Sequence, residues 1–490
     1  MATLIELLER SARNFADNEA IRSPMQEASL TWRALRERSL GWAGALAAAG
    51  VRPGDRVGIL LGNTLEFPIA LFAVLYAGGV AVPVNARLTQ GEVQSILDHA
   101  QASAVICSAE TGEIAPRQIP LFTTSQLESG RPPAEILRPA ETDDAQILYT
   151  SGTTGDPKGV VMTHRAVCET ATMAAYEFGM RAGERVAVLM PVTHSAPLNL
   201  FLLGSVLSGS TVIIDSFNPR DPSAMLDLLA RERAQYLFAA PVAYLLGLRA
   251  DPSRFDLSAM KLWIYGGAPM SADQVTAVRM AYGGRWMGVY GLTESGPNGM
   301  ALADEDHAGH AGSLGWHPTV NTEMRLLDDL GEEVATGEPG EIVMRTPSAM
   351  RGYLNNPDAT AQVLRAGWIH TGDMAVRDAD GYYWMLDRKK DLILSGGFNV
   401  YPREVEDAIL THPAVLDAAV VAAPHPEWGE TVAAVVVLKE GANLTLDDLR
   451  AHLRPILASQ KHPRRLEVAE ALPRNATGKL LRHELRRSLA

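Results

Sequence analysis

With 490 residues, 47% of them hydrophobic and 21% charged, the chain exceeds what one hydrophobic core usually serves and reads as an ordinary globular protein of two or three subdomains. A formal net charge of -13 argues against nucleic acid or an anionic membrane as a main partner, and two cysteines, Cys107 and Cys168, give neither a disulfide framework nor metal-ligand spacing. A reducing, cytoplasmic setting is expected, in keeping with a start, Met1 to Glu6, that lacks a basic stretch followed by an apolar one.

Leu35 to Ala49 carries apolar residues at helical spacing and ends at Gly50, and Arg56 to Leu61 then reads as a buried strand. Phe67 to Val84 is uncharged and mostly apolar, long enough to raise the question of a membrane span. Pro68 near its start and Gly78-Gly79 within it predict instead a buried helix followed by a strand over Val80 to Val84, so no integral membrane segment is expected. Glu92 to Ala100 reads as a helix, Ala104 to Cys107 as a strand, and residues 108 to 142, rich in Pro, Glu and Thr, as a surface crossing. This alternation predicts an α/β fold of mostly parallel sheets covered by helices.

The next stretch, Thr150-Ser151-Gly152-Thr153-Thr154-Gly155-Asp156-Pro157-Lys158-Gly159, has the parts of a phosphate cradle. Its glycines free the backbone to approach a ligand, its hydroxyls donate, and Lys158 adds a point charge. Gly152 and Gly155 are separated by only two residues and Lys158 is followed by glycine, so it is not a P-loop. Apolar runs on both sides, Ala145 to Tyr149 and Val160 to Met162, predict strands that hold it. The run from Tyr149 to Gly159 resembles the signature of the acyl-adenylate-forming superfamily, which holds acyl-CoA synthetases, luciferases and the adenylation domains of peptide synthetases.

Further segments match that superfamily in the expected order. Met190 to Ser195 follows a strand and precedes an apolar helix over Leu198 to Leu207, and the resemblance places His194 in the acyl pocket, with Thr193 where an aromatic residue is usual. Leu262 to Pro269 reads as a strand ending in a glycine pair, where a planar ring can lie against backbone. By resemblance Gly267, Ala268 and Pro269 meet the adenine, while Gly266 and Gly291 border the acyl group. Val289 to Ser295 brings together an aromatic ring, a hydroxyl and a carboxylate in Tyr290, Thr293 and Glu294. The resemblance gives these to the adenine, the phosphates and Mg²⁺ respectively.

Asp373, in Trp368 to Asp373, is by resemblance the acceptor of the ribose hydroxyls, and Arg388, in Asp387-Arg388-Lys389-Lys390-Asp391, a further ribose contact. The same resemblance makes Lys390 a hinge. It divides the chain into a large N-terminal domain over 1–386, a hinge over 387–391, and a small mobile α+β domain over 392–490. Gly396 and Gly397 then belong to a pantetheine channel, with Phe398 where many relatives carry Glu, and Lys479 reaches the substrate carboxylate and the α-phosphate. Arg87, Lys461 and Arg464 resemble residues that meet the CoA nucleotide, although Gln460 replaces an expected aromatic stacker.

The resemblance implies an AMP-forming acyl-CoA synthetase using ATP, Mg²⁺ and CoA. Lys158 and the hydroxyls of 151 to 155 hold departing pyrophosphate, Thr293 and Glu294 hold phosphate and metal, and Lys479 neutralises charge at the reacting centre. No Ser-His-Asp or Cys-His arrangement is present in the sequence, and the chemistry implied needs none. Stretches 193–199, 264–270 and 288–300 contain no Arg or Lys, so an apolar monocarboxylic acid, aliphatic or aryl, is expected as substrate. Loading of a carrier protein in place of CoA stays open, as does a homodimer.

Overall fold

The computed structural model describes residues 3–116, 118–133, 135–150, 158–268, 270–395, 398–425, 429–474 and 480–489. Nine residues singled out above, Ser151, Gly152, Thr153, Thr154, Gly155, Pro269, Gly396, Gly397 and Lys479, lie outside them.

Two large sheets are mainly parallel, as the helix–strand alternation predicts. The first has eight strands, in spatial order Gly299–Leu302, Trp286–Gly291, Leu262–Gly266, Tyr236–Ala239, Arg185–Val188, Thr211–Ile214, Glu19–Ser23 and Ala28–Thr31, with antiparallel pairs only at its two ends. The second has seven, in order Gly352–Tyr353, Lys158–Thr163, Asp144–Thr150, Val80–Pro83, Arg56–Leu60, Ala104–Cys107 and Leu121–Thr123. Central strands such as Val80–Pro83 and Ala104–Cys107 are buried along their whole length, the mark of a sheet covered on both faces. Helix Glu66–Tyr76 is buried from Phe67 onward and packs on helix Trp32–Ala48, so the long apolar stretch is core. No described helix is long and apolar enough to cross a membrane.

Three features depart from the expectations. Residues 108–142 contribute an edge strand, Leu121–Thr123, and a short helix, Thr124–Leu127, in addition to their path over the surface. The predicted helix after His194 begins as a π-helical segment, Ala196–Leu202, and becomes α-helical only over Leu203–Ser208. Between the parallel sheets and the C-terminal part lies a third, wholly antiparallel sheet, with strands Glu323–Leu327, Gly340–Arg345, Leu364–Arg365, Trp368–Arg377 and Tyr383–Arg388. Its strand Glu323–Leu327 alternates exposed and buried residues, so one face packs over a core that includes Met300, Met324, Ile342 and Met344 while the other meets solvent.

A fourth sheet follows residue 391. It is built on the long antiparallel pair Val415–His425 and Gly429–Leu438, with helix Pro402–Leu410 and helix Leu446–Leu453 supplying a separate apolar core.

Candidate functional site

The carboxyl ends of the parallel strands Leu262–Gly266 and Trp286–Gly291 open into a cleft, the position where such sheets take ligands. Tyr265, Ala268, Val289 and Tyr290 line it, and Arg403, from helix Pro402–Leu410 of the fourth sheet's layer, closes one side. Gly267 has φ +77° and open space where a side chain would stand, which suits close approach by a ring. Gly266 and Gly291 have a different reason to be glycine. A Cβ at these positions would come within 2.6 Å of the Val289 carbonyl oxygen and 2.2 Å of the Pro297 carbonyl oxygen, so backbone packing already fills the space.

On the third sheet Asp373 stands opposite Arg388 across adjacent strands. Its carboxylate is buried and accepts the Tyr290 hydroxyl at 2.8 Å on one oxygen and the Arg388 Nε–H at 3.0 Å on the other. Both oxygens are therefore fixed, and each keeps a lone pair for a further hydroxyl. Burial disfavours charge on Arg388, but Asp373, Tyr290 and Glu294 outweigh it and hold the guanidinium's pKa above its ordinary value. Burial, reinforced by Asp373, pushes the Tyr290 phenol well up, so it remains a donor at neutral pH.

Thr293 and Glu294 sit in a single 3₁₀ turn, Thr293–Ser295, directly after the strand that carries Tyr290. Thr293 Oγ1 is 3.0 Å from Ser195 Oγ. Glu294 accepts the Tyr353 hydroxyl at 2.7 Å, and the ammonium of Lys158 lies 5.0 Å from the centre of the Tyr353 ring. Thr150 and Lys158 are paired across the antiparallel strands that flank residues 151–157. Ser195 falls in the stretch 193–199 expected to border the acid, whereas Tyr353 and Arg403 carried no signal in the sequence.

Among the described residues no group of three or more His, Cys, Asp or Glu converges as a metal cage. Mg²⁺ is ordinarily held by one or two carboxylates plus substrate phosphates and water, so the single carboxylate of Glu294, with one oxygen anchored by Tyr353, fits it. His194 is half-buried, its Nε2 is buried without a partner, and burial pushes its pKa down to about 4, leaving a neutral ring at pH 7. Thr193, beside it, is buried with Oγ1 likewise unpartnered. Neutral, unsatisfied and next to Ser195, these groups suit the wall of an organic-acid pocket.

The residues expected at CoA are dispersed in setting. Arg87 and Arg464 are exposed, whereas the Lys461 ammonium is held by both oxygens of Glu404 at 2.5 and 2.7 Å. Lys390 is exposed in the 3₁₀ turn Lys389–Asp391 that leads to the fourth sheet. Across this turn Asp387 accepts the Arg403 backbone N–H at 2.9 Å and lies 3.8 Å from Arg482, which pairs with Glu406 at 2.7 Å.

The sequence profile described as AMP-binding enzyme matches residues 8–354, and that of the AMP-binding enzyme C-terminal domain matches residues 404–479. The chain is 38% identical over 466 residues to a feruloyl-CoA synthase of an Amycolatopsis species, covering 94% of each protein. It is 34% identical over 540 residues to a long-chain-fatty-acid–CoA ligase of Yersinia pestis, covering 99% of this chain and 94% of that one. Among solved structures it superposes on the anthranilate CoA ligase AuaEII in complex with anthranoyl-AMP with a TM-score of 0.91 at 26% identity, over 99% of this chain and 97% of the other.

Proposed function

The chain belongs to the AMP-binding enzyme family, and from that membership we propose that it is an AMP-forming acyl-CoA synthetase acting on an apolar monocarboxylic acid, aliphatic or aryl. The observation that carries this reading is the buried Asp373 carboxylate, held between Tyr290 and Arg388 beside the turn that presents Thr293 and Glu294. That arrangement offers a ribose acceptor and a phosphate end to one nucleotide.

Tyr290 and the open backbone at Gly267 and Ala268 bind the adenine, and Asp373 accepts from the ribose. Thr293 donates to a phosphate oxygen. Lys158 faces the charge that builds on departing pyrophosphate, together with the hydroxyls of residues 151–155. Lys479 neutralises the charge that develops between the attacking carboxylate and the α-phosphate. Magnesium, held by Glu294, supplies charge neutralisation to the phosphates when bound. His194, neutral at working pH, lines the acid's pocket and leaves the substrate carboxylate to seek the Lys479 cation. In the second half-reaction Gly396 and Gly397 border the path of the CoA thiol to the acyl-adenylate, with Arg87, Lys461 and Arg464 at its nucleotide. Residues 387–391 form the hinge between residues 1–386 and 392–490.

One observation favours the carrier-protein alternative: Lys461 is already neutralised by Glu404, so in this arrangement it is not available to a CoA phosphate. Incubating the protein with MgATP, CoA and a panel of fatty and aryl acids, and weighing the products, tests the reading. Apolar monocarboxylates should give AMP, pyrophosphate and acyl-CoA in equal amounts. Accumulation of protein-bound adenylate without thioester, at any CoA concentration, would favour the carrier protein.

A further inference from the structure

Resting on that reading, we propose that Tyr353 is a positioning residue that aims Glu294 at the metal and steadies Lys158 for the phosphates. Its backbone is fixed from three directions. Gly352 and Tyr353 form a two-residue strand against Lys158–Thr163, with Tyr353 opposite Val160. The Tyr353 N–H donates to Thr360 Oγ1 at 2.9 Å, and the following residue, Leu354, donates its N–H to the Gly159 carbonyl at 2.8 Å. Just upstream, the Met350 N–H donates to the Glu294 carbonyl at 2.8 Å, tying this segment to the Thr293–Ser295 turn.

The Tyr353 side chain therefore leaves a rigid mount and meets two different functional groups. Its hydroxyl donates to Glu294 Oε1 at 2.7 Å, a distance that marks a charge-assisted hydrogen bond, and its ring face lies 5.0 Å from the Lys158 ammonium. The residue itself is only 9% exposed. A carboxylate on a short, half-buried turn would otherwise still have several rotamers open to it, and a lysine at the end of a strand would keep its own side-chain freedom. One tyrosine removes both freedoms. Direct ion pairing of Glu294 with Lys158 would cancel the charges that the metal and the phosphates need; a phenol between them keeps each charge intact and oriented. Pre-organisation of this kind lowers the ordering cost of binding and leaves the chemistry to the oriented groups.

The two halves of the side chain separate the two roles experimentally. Binding of a non-hydrolysable ATP analogue is measured by calorimetry, with and without Mg²⁺, for wild type, Tyr353→Phe and Tyr353→Leu, with melting temperatures recorded alongside. Tyr353→Phe keeps the ring and loses the hydroxyl. It should bind the metal-free analogue like wild type and lose roughly tenfold in the enhancement that Mg²⁺ confers, the scale of one hydrogen bond to a charged group. Tyr353→Leu should in addition weaken metal-free binding, because the Lys158 ammonium loses its ring. Glu294→Gln should lose the magnesium enhancement as well, and combining it with Tyr353→Phe should add little, since the two act through one contact. A folded Tyr353→Phe with full magnesium enhancement, or one that weakens metal-free and metal-bound binding equally, would overturn the assignment. Wild type that binds no adenine nucleotide in either condition would overturn the functional reading itself, and the role of Tyr353 with it.

Discussion

His164 shows how one buried side chain sets a pH limit on the fold. It opens helix His164–Glu177, its ring is buried, and its Nδ1 accepts the Leu4 backbone N–H at 3.3 Å, which ties the first helix, Leu4–Asn14, to the core. Burial pushes its pKa from the ordinary 6.5 down to about 4. Between those values the unfolded chain binds a proton that the folded chain refuses, so stability present above pH 6.5 is lost as the pH falls. At pH 5 the loss from this residue is about 2 kcal/mol. Denaturant midpoints should therefore drop from pH 7 to pH 5. His164→Asn, whose Oδ1 can take the Leu4 N–H without titrating, should flatten that drop, and a slope identical to wild type would exclude His164 as the cause. His194, depressed to the same degree, contributes its own share, so the variant flattens the slope without abolishing it.

Elements with strong local patterns were legible in the sequence, and those defined by distant partners were not. The strands flanking residues 151–157 and the buried helix Glu66–Tyr76 follow from runs of apolar residues and from Gly78-Gly79. Asp373, Arg388, Tyr290 and Glu294 stood in recognisable motifs, and the structure brings the first three into direct contact. Tyr353 gave no such signal, because a two-residue strand has no periodicity and its partner, Glu294, lies 59 positions away. The edge strand Leu121–Thr123 is half-exposed throughout, so its sequence lacks the alternation that marks a strand. The packing of this region is equally hidden. Helix Trp32–Ala48 carries Gly44 where the 130–133 backbone crosses it, and a Cβ there would meet the Arg131 carbonyl oxygen at 1.8 Å. Gly44→Ala should consequently destabilise the protein by about 1–3 kcal/mol despite alanine's better helix propensity. Unfolding curves read this directly, and an unchanged or raised stability would mean that residues 130–133 do not pack as described.

The whole molecule is arranged so that helix Pro402–Leu410, beyond residue 391, borders the cleft made by the sheets before it. Arg403 lines that cleft, and its backbone N–H and Arg482 both reach back to Asp387 on the other side of Lys390. If residues 392–490 turn about Lys390, these two contacts must part, while Arg482–Glu406 and Arg486–Asp391 travel with the moving part. Lys479 and the Gly396 region would then occupy the cleft in alternation, one for each half-reaction. The most direct test runs the half-reactions separately, in wild type and Lys479→Ala: acid-dependent exchange of pyrophosphate into ATP without CoA, and thioester formation from supplied acyl-adenylate plus CoA. Wild type should perform both. An ion pair of up to about 4 kcal/mol sets the scale for the variant, which should lose roughly 10²- to 10³-fold in exchange and retain thioester formation. A folded Lys479→Ala that loses both reactions equally, or a wild type whose exchange requires CoA, would contradict the account.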